Sequence, residues 1–111
     1  MDINIKAAEY KAITAAQAKQ LMCSISCYTV VVEVRRADEF RLGHIKGAIN
    51  IPLGQLEQQA KLLLPDTSQE IILYCRTGSR SFEAANILLA LGYTKVYDLG
   101  SISDWCCELE K

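Results

Sequence analysis

Residues 70–92 read "EIILYCRTGSRSFEAANILLALG", and this stretch decides the fold. Its first six residues, 70–75, read as a strand, and the apolar run that follows Glu70 is of the kind found in a strand buried on both faces, as in a parallel sheet. Residues 81–92 carry apolar side chains at 82, 85, 88, 89 and 91, which is helical spacing. Gly92 is placed to stop that helix in the left-handed conformation. The link between strand and helix is short, and it contains a cysteine, two arginines and a glycine.

The rest of the chain repeats the alternation. Residues 9–13 read as a short first strand. Thr14 and Gln17 form a T-x-x-Q capping box ahead of Ala-rich sequence, predicting a helix over 14–23. "YTVVVEV" (28–34) is a second buried strand. "ADEFRL" (37–42) is a short helix ended by Gly43. Residues 43–52 are loop with a short strand at 49–51. Residues 53–64 have apolar positions at 53, 56, 60, 63 and 64, again helical. "PDTSQ" (65–69) is a turn, and "KVYDL" (95–99) is a further strand. Ser101 as N-cap, with Asp104 in the first turn, predicts a last helix. Strands alternating with helices give an α/β class with a mainly parallel central sheet flanked by helices. In such sheets ligands bind beyond the carboxyl ends of the strands, and Cys75 stands at such an end.

Composition narrows the function classes. The 111 residues, half of them apolar and 23% charged, suit a single domain over 1–111 with one modest core. A net charge of −1 without a basic stretch excludes binding to the nucleic-acid backbone. No apolar run spans a bilayer and no secretory signal is visible, so a cytoplasmic protein is expected, with no membrane partner. Five cysteines, an odd number, argue against a disulfide scaffold. Neither Cys23/Cys27 nor Cys106/Cys107 has a good chelating spacing, and His44 is the only histidine, so no metal is expected.

The loop between strand and helix carries the chemistry. A short turn into a helix N-terminus collects backbone N–H groups into an anion cradle. Gly78 allows a backbone conformation that other residues resist. Helix N-termini and nearby cations lower a thiol from about 8.5 to roughly 3.5–7.5, and the thiolate is the nucleophile. Cys75 is therefore the candidate nucleophile, with Arg76, Thr77, Gly78, Ser79 and Arg80 forming the substrate-binding loop. Phosphate-ester hydrolysis uses five residues between the cysteine and the clamping arginine. Here four separate Cys75 from Arg80. A phosphatase also needs a general acid, and the sequence singles out none of Asp38, Asp98 and Asp104. Sulfur transfer asks for less, because loop amides can stabilise a persulfide without general acid–base help.

Four segments together resemble the rhodanese family of sulfurtransferases, over about residues 9–106. "VEVRRADEF" (32–40) resembles that family's "DVR…EF". "GHIKGAINIP" (43–52) matches its "GHI.GA.NIP". "YCRTGSRS" (74–81) matches its six-residue active-site loop. "YDLGSISDW" (97–105) is similar to its "L.GG...W". The resemblance implies a three-layer rhodanese-like fold and a Cys75 persulfide. It also implies that the amides of 76–80 cradle the sulfur and that Arg80 closes the loop. By position, Arg76 would recognise an anionic donor such as thiosulfate. Two departures stand out: Glu33 replaces the family's aspartate, which changes the carboxylate's reach, and Ser101 replaces its second glycine.

Other residues take structural roles in this reading. A His44 ring nitrogen holds the "GHI" turn by bonding backbone groups. Arg35 and Asp38 form an ion pair beside the strand end, the alternative being that they line the pocket. Trp105 anchors the tail against the sheet. One of Cys106 and Cys107 packs under the last helix and the other is incidental; the alternative is a resolving thiol. The expected function is sulfane-sulfur transfer from a donor such as thiosulfate to cyanide or a thiol, without a cofactor. The alternative is a carrier module that exchanges sulfur with a protein thiol or persulfide partner. A phosphatase or arsenate reductase ranks last. Oligomeric state is not legible.

Overall fold

The computed structural model describes residues 9–23, 29–76, 79–105 and 109–110. Along the chain they form β1 (Lys11–Ala12), α1 (Ala15–Met22), β2 (Val30–Glu33), α2 (Ala37–Leu42), β3 (His44–Ile45), β4 (Ile49–Asn50), α3 (Leu53–Leu63), β5 (Ile71–Cys75), α4 (Ser79–Ala90), β6 (Val96–Ser101) and β7 (Leu109–Glu110). Five strands make one sheet in the order β1-β6-β5-β2-β4, and every neighbouring pair is parallel. β3 and β7 form a separate antiparallel pair.

β5 lies at the centre of the sheet, and none of its five residues is exposed. Its pleat divides them. Ile71, Leu73 and Cys75 face a cluster built with Leu56 and Ala60 of α3 and Ala84, Ala85 and Leu88 of α4. Ile72 and Tyr74 face the opposite cluster, with Ala18 of α1, Ile45 and Leu99, and Trp105 packs against its edge. The sheet therefore has a helical layer on each side. This explains the unbroken apolar run in the sequence: a strand covered on both faces has no polar phase to display.

The local signals are met in detail. Thr14 and Gln17 form the reciprocal capping box at the start of α1. α4 ends in a Schellman motif, with Tyr93 N–H donating to the Leu88 carbonyl, Gly92 N–H donating to that of Leu89, and Gly92 at φ 102°.

Three expectations are corrected. α4 begins at Ser79, two residues before the apolar spacing suggests, because its first turn belongs to the loop sequence. Its buried face is Ser81, Ala84, Ala85 and Leu88, and Phe82 is half exposed with its ring edge-on to Tyr10. Small alanines let the helix sit close to the sheet, so the largest apolar residue was a poor guide to the inward face. The tail also differs. Ser101 does act as an N-cap, accepting from Ser103 N–H, but among the described residues it opens a 3-10 turn at Ile102–Asp104. Beyond it Leu109 and Glu110 return as a strand beside His44 and Ile45. Trp105 takes extended backbone, at φ −74° and ψ 133°, and this ends the turn after Asp104.

Candidate active site

The site lies at the carboxyl end of the sheet, where β5, β6 and β2 finish side by side. Cys75 has no exposed surface. Its Sγ accepts a hydrogen bond from the Ser81 backbone N–H at 3.4 Å. Ser81 is the third residue of α4, so this donor is one of the amides that a helix start leaves without an intrahelical partner. The sulfur thus sits at the positive end of a twelve-residue helix.

The expected loop residues divide. Arg76 is exposed, and its guanidinium has no hydrogen-bond partner among the described residues. Ser79 is exposed at the start of α4. Thr77 and Gly78 lie outside the described residues, as do Cys27, Cys106 and Cys107. Arg80 does not stand free. Its two terminal nitrogens donate to the two Glu39 oxygens at 2.9 and 3.2 Å, a bidentate clamp from α4 to α2. Glu39 also accepts from Arg36 N–H at 3.0 Å, which caps α2. The Arg80 bond, then the Arg36 amide, hold the Glu39 carboxyl down at about 2. The same bond raises Arg80 above its ordinary value; burial opposes the shift, and Glu39 and Cys75 add to it. Arg80 therefore keeps its charge beside Cys75 at any working pH.

Behind the strand ends lies a buried polar network. Glu33 is fully buried and accepts from Arg35 Nε and from the Tyr74 hydroxyl, the latter at 2.5 Å. The Tyr74 oxygen accepts from Ile45 N–H at 2.9 Å, and Arg35 donates to the Gly43 carbonyl at 2.7 Å. Burial, then the bond to Glu33, pushes the Tyr74 phenol far up, so it remains a donor. Glu33 thus keeps an acceptor role, and its extra methylene carries the carboxylate to two partners. The expected Arg35–Asp38 pair does not form: Arg35 turns inward to Glu33, and Asp38 pairs at the surface with Arg36 at 3.1 Å. The pleat explains it, since Arg35 follows a buried strand and its stem is covered, while Asp38 sits on the exposed first turn of α2. His44 holds its turn as expected, with Nδ1 2.9 Å from the Phe40 carbonyl and its ring stacked on Phe40 at 3.7 Å.

Three residues escaped the sequence reading. Glu39 looked like an ordinary helix charge, and only its place three residues after Arg36 hinted at a cap. Tyr74 looked like one more apolar strand residue. Ser101 was visible as an N-cap, but its Oγ also donates to the Arg76 carbonyl at 2.6 Å, which no local pattern announces. Cys23 is an exposed free thiol at the end of α1.

Comparison with known proteins agrees with this architecture. Residues 14–108 match the Rhodanese family, described as a rhodanese-like domain. The chain is 34% identical over 73 residues to the thiosulfate sulfurtransferase PspE of Escherichia coli, covering 66% of this chain and 70% of that protein. It is 34% identical over 89 residues to the thiosulfate:glutathione sulfurtransferase of Saccharomyces cerevisiae, covering 68% of this chain and 63% of that one. Among solved structures, a rhodanese with anions from E. coli superposes with a TM-score of 0.71 at 31% identity, over 75% of this chain and 98% of the other. By sequence and by fold, the chain belongs to the rhodanese-like domain family.

Proposed function

We propose that this protein is a sulfurtransferase that carries a sulfane sulfur on Cys75. The observation that carries the reading is the position of the Cys75 sulfur, at the end of the central strand with an N–H from the first turn of α4 on it. In the first half-reaction the Cys75 thiolate attacks the outer sulfur of thiosulfate. The new S–S bond forms as the old one breaks, and sulfite leaves with that electron pair. The enzyme is left as a persulfide anion. In the second, cyanide or a thiolate attacks the outer sulfur, and the Cys75 thiolate is regenerated with the electron pair of the broken bond. Neither half needs a cofactor.

Each neighbour suits one part of that cycle. Exposed Arg76 offers a first attraction to a dianionic donor. Arg80, held by Glu39, keeps a fixed positive charge next to the sulfur. The α4 amide stabilises negative charge on the sulfur before and after transfer. Burial holds the resting Cys75 sulfur out of bulk solvent. The relatives named for thiosulfate support the choice of donor.

Intact mass after thiosulfate treatment, then after cyanide, tests the reading. Wild type should gain one sulfur and lose it again, and Cys75→Ser should gain none. Failure of wild type to load from thiosulfate would remove this enzyme reading. Loading from a protein persulfide in that case would favour the carrier module instead.

A further inference from the structure

We propose that Ser101, backed by Ser103, is a positioning residue that presets the active-site loop through the Arg76 carbonyl. The proposal rests on the reading of Cys75 as the sulfur carrier.

The geometry begins in the β-ladder. β6 runs in register with β5 until Leu73 faces Asp98; then Tyr74 faces Gly100 and Cys75 faces Ser101. Leu99 is the extra residue of a bulge. Gly100 takes φ 85°, a conformation that a residue with a Cβ resists, and its N–H donates to the Asp98 carboxylate at 2.8 Å. Bulges next to active sites re-aim side chains. Here the bulge brings Ser101 level with Cys75, and its hydroxyl reaches the first carbonyl after the nucleophile.

A count of hydrogens assigns every bond. The Arg76 carbonyl can only accept, so the single Ser101 hydroxyl hydrogen goes to it, at 2.6 Å. The Ser103 hydroxyl, 2.6 Å from Ser101 Oγ, must then be the donor in that pair. Ser103 N–H donates to the same oxygen at 3.1 Å. Ser101 Oγ therefore gives one hydrogen and receives two, and its capacity is full. Two donors on one hydroxyl polarise it and strengthen the bond it gives.

The consequence concerns preorganisation. Loop amides stabilise an anion well only when they already point at it, because reorganising them on arrival costs free energy. α4 and the Glu39–Arg80 clamp fix the far end of the loop. Ser101 fixes the near end. The residue that replaces a family glycine thus supplies a tether that a glycine cannot make.

The test compares Ser101→Ala, Ser101→Thr and Ser103→Ala with wild type. Two rates are read: sulfur loading of Cys75 from thiosulfate, by mass, and alkylation of Cys75 by anionic iodoacetate relative to neutral iodoacetamide, by peptide mapping. Ser101→Ala should slow loading about tenfold, the worth of one well-oriented hydrogen bond, and should lower the iodoacetate-to-iodoacetamide ratio. Ser101→Thr keeps the hydroxyl on extended backbone, at φ −97° and ψ 132°, and should restore both. Ser103→Ala should shift both rates in the same direction by less. A general loss of stability would slow or speed both alkylating agents together and leave their ratio unchanged, so that result would overturn the proposal. So would a threonine variant as impaired as alanine, or an alanine variant equal to wild type. If wild type takes no sulfur from thiosulfate, the sulfurtransferase reading falls, and the alkylation ratio alone decides the role of Ser101.

Discussion

Tyr74 and Cys75 are neighbours on β5, both without exposed surface, yet the pleat puts them in opposite surroundings. Tyr74 points to the face where its hydroxyl donates to Glu33 and accepts from Ile45 N–H, while Arg35 donates to the same Glu33 carboxylate. Cys75 points to an apolar cluster, and its sulfur accepts from the Ser81 amide. The first environment spends its polar groups on each other and holds the strand ends together. The second sets a sulfur among apolar side chains at the start of α4, with a backbone amide on it. Scaffold and site are thus separated by one residue and one sheet thickness.

Substitutions on the two sides should separate in the same way. The largest stability loss is expected from Glu33→Gln. It leaves the Arg35 guanidinium buried without its counter-charge, at a cost of about 3–5 kcal/mol, measurable by urea unfolding. Tyr74→Phe comes next. It strips Glu33 of a donor and Ile45 N–H of its acceptor, and should cost about 1–3 kcal/mol. If the variant still folds, the site stays assembled and the protein should load sulfur at close to the wild-type rate. A Tyr74→Phe protein that is stable but inert would join the two faces and break the comparison.

The Glu39–Arg80 clamp bridges scaffold and site, so Glu39→Gln should affect both modestly. Its side chains are partly solvated, and a stability loss of about 1 kcal/mol is expected, together with slower sulfur loading. The pH dependence has a defined sign. Glu39 titrates near 2 in the folded protein, below its ordinary value of 4.5. Its contribution is therefore complete above about 4.5 and fades as pH falls towards 2. The gap in stability between wild type and Glu39→Gln should be constant from pH 5 upward and close through that acid window. The smallest effect belongs to Asp38→Asn. The Arg36–Asp38 pair is well exposed, and the melting temperature should not move measurably. A clear shift there would show that this surface pair matters to the fold.

Much of this protein is legible in one dimension because its signals are local. A strand covered on both faces shows a near-continuous apolar run, so β5 and the valines of β2 show themselves. The Thr14–Gln17 box and the Gly92 stop are contacts between residues a few positions apart. The loop motif that carries Cys75 is contiguous, and with three other segments it is enough to show the family resemblance. What stayed hidden depends on pairs distant in sequence. Glu39 meets Arg80, and Glu33 meets Tyr74, each across 41 residues, while Ser101 meets Arg76 across 25. Arg35 is hidden for another reason: Glu33 and Asp38 are both near it in sequence, and burial of the strand end decides that it binds Glu33. The sequence by itself determined the alternation of the main strands and helices and singled out Cys75 as the candidate nucleophile, because each is written in short-range periodicity and contiguous motif. Only the tertiary structure decided how the two ends of the loop are held, because parallel strands bring their carboxyl ends together from distant parts of the chain.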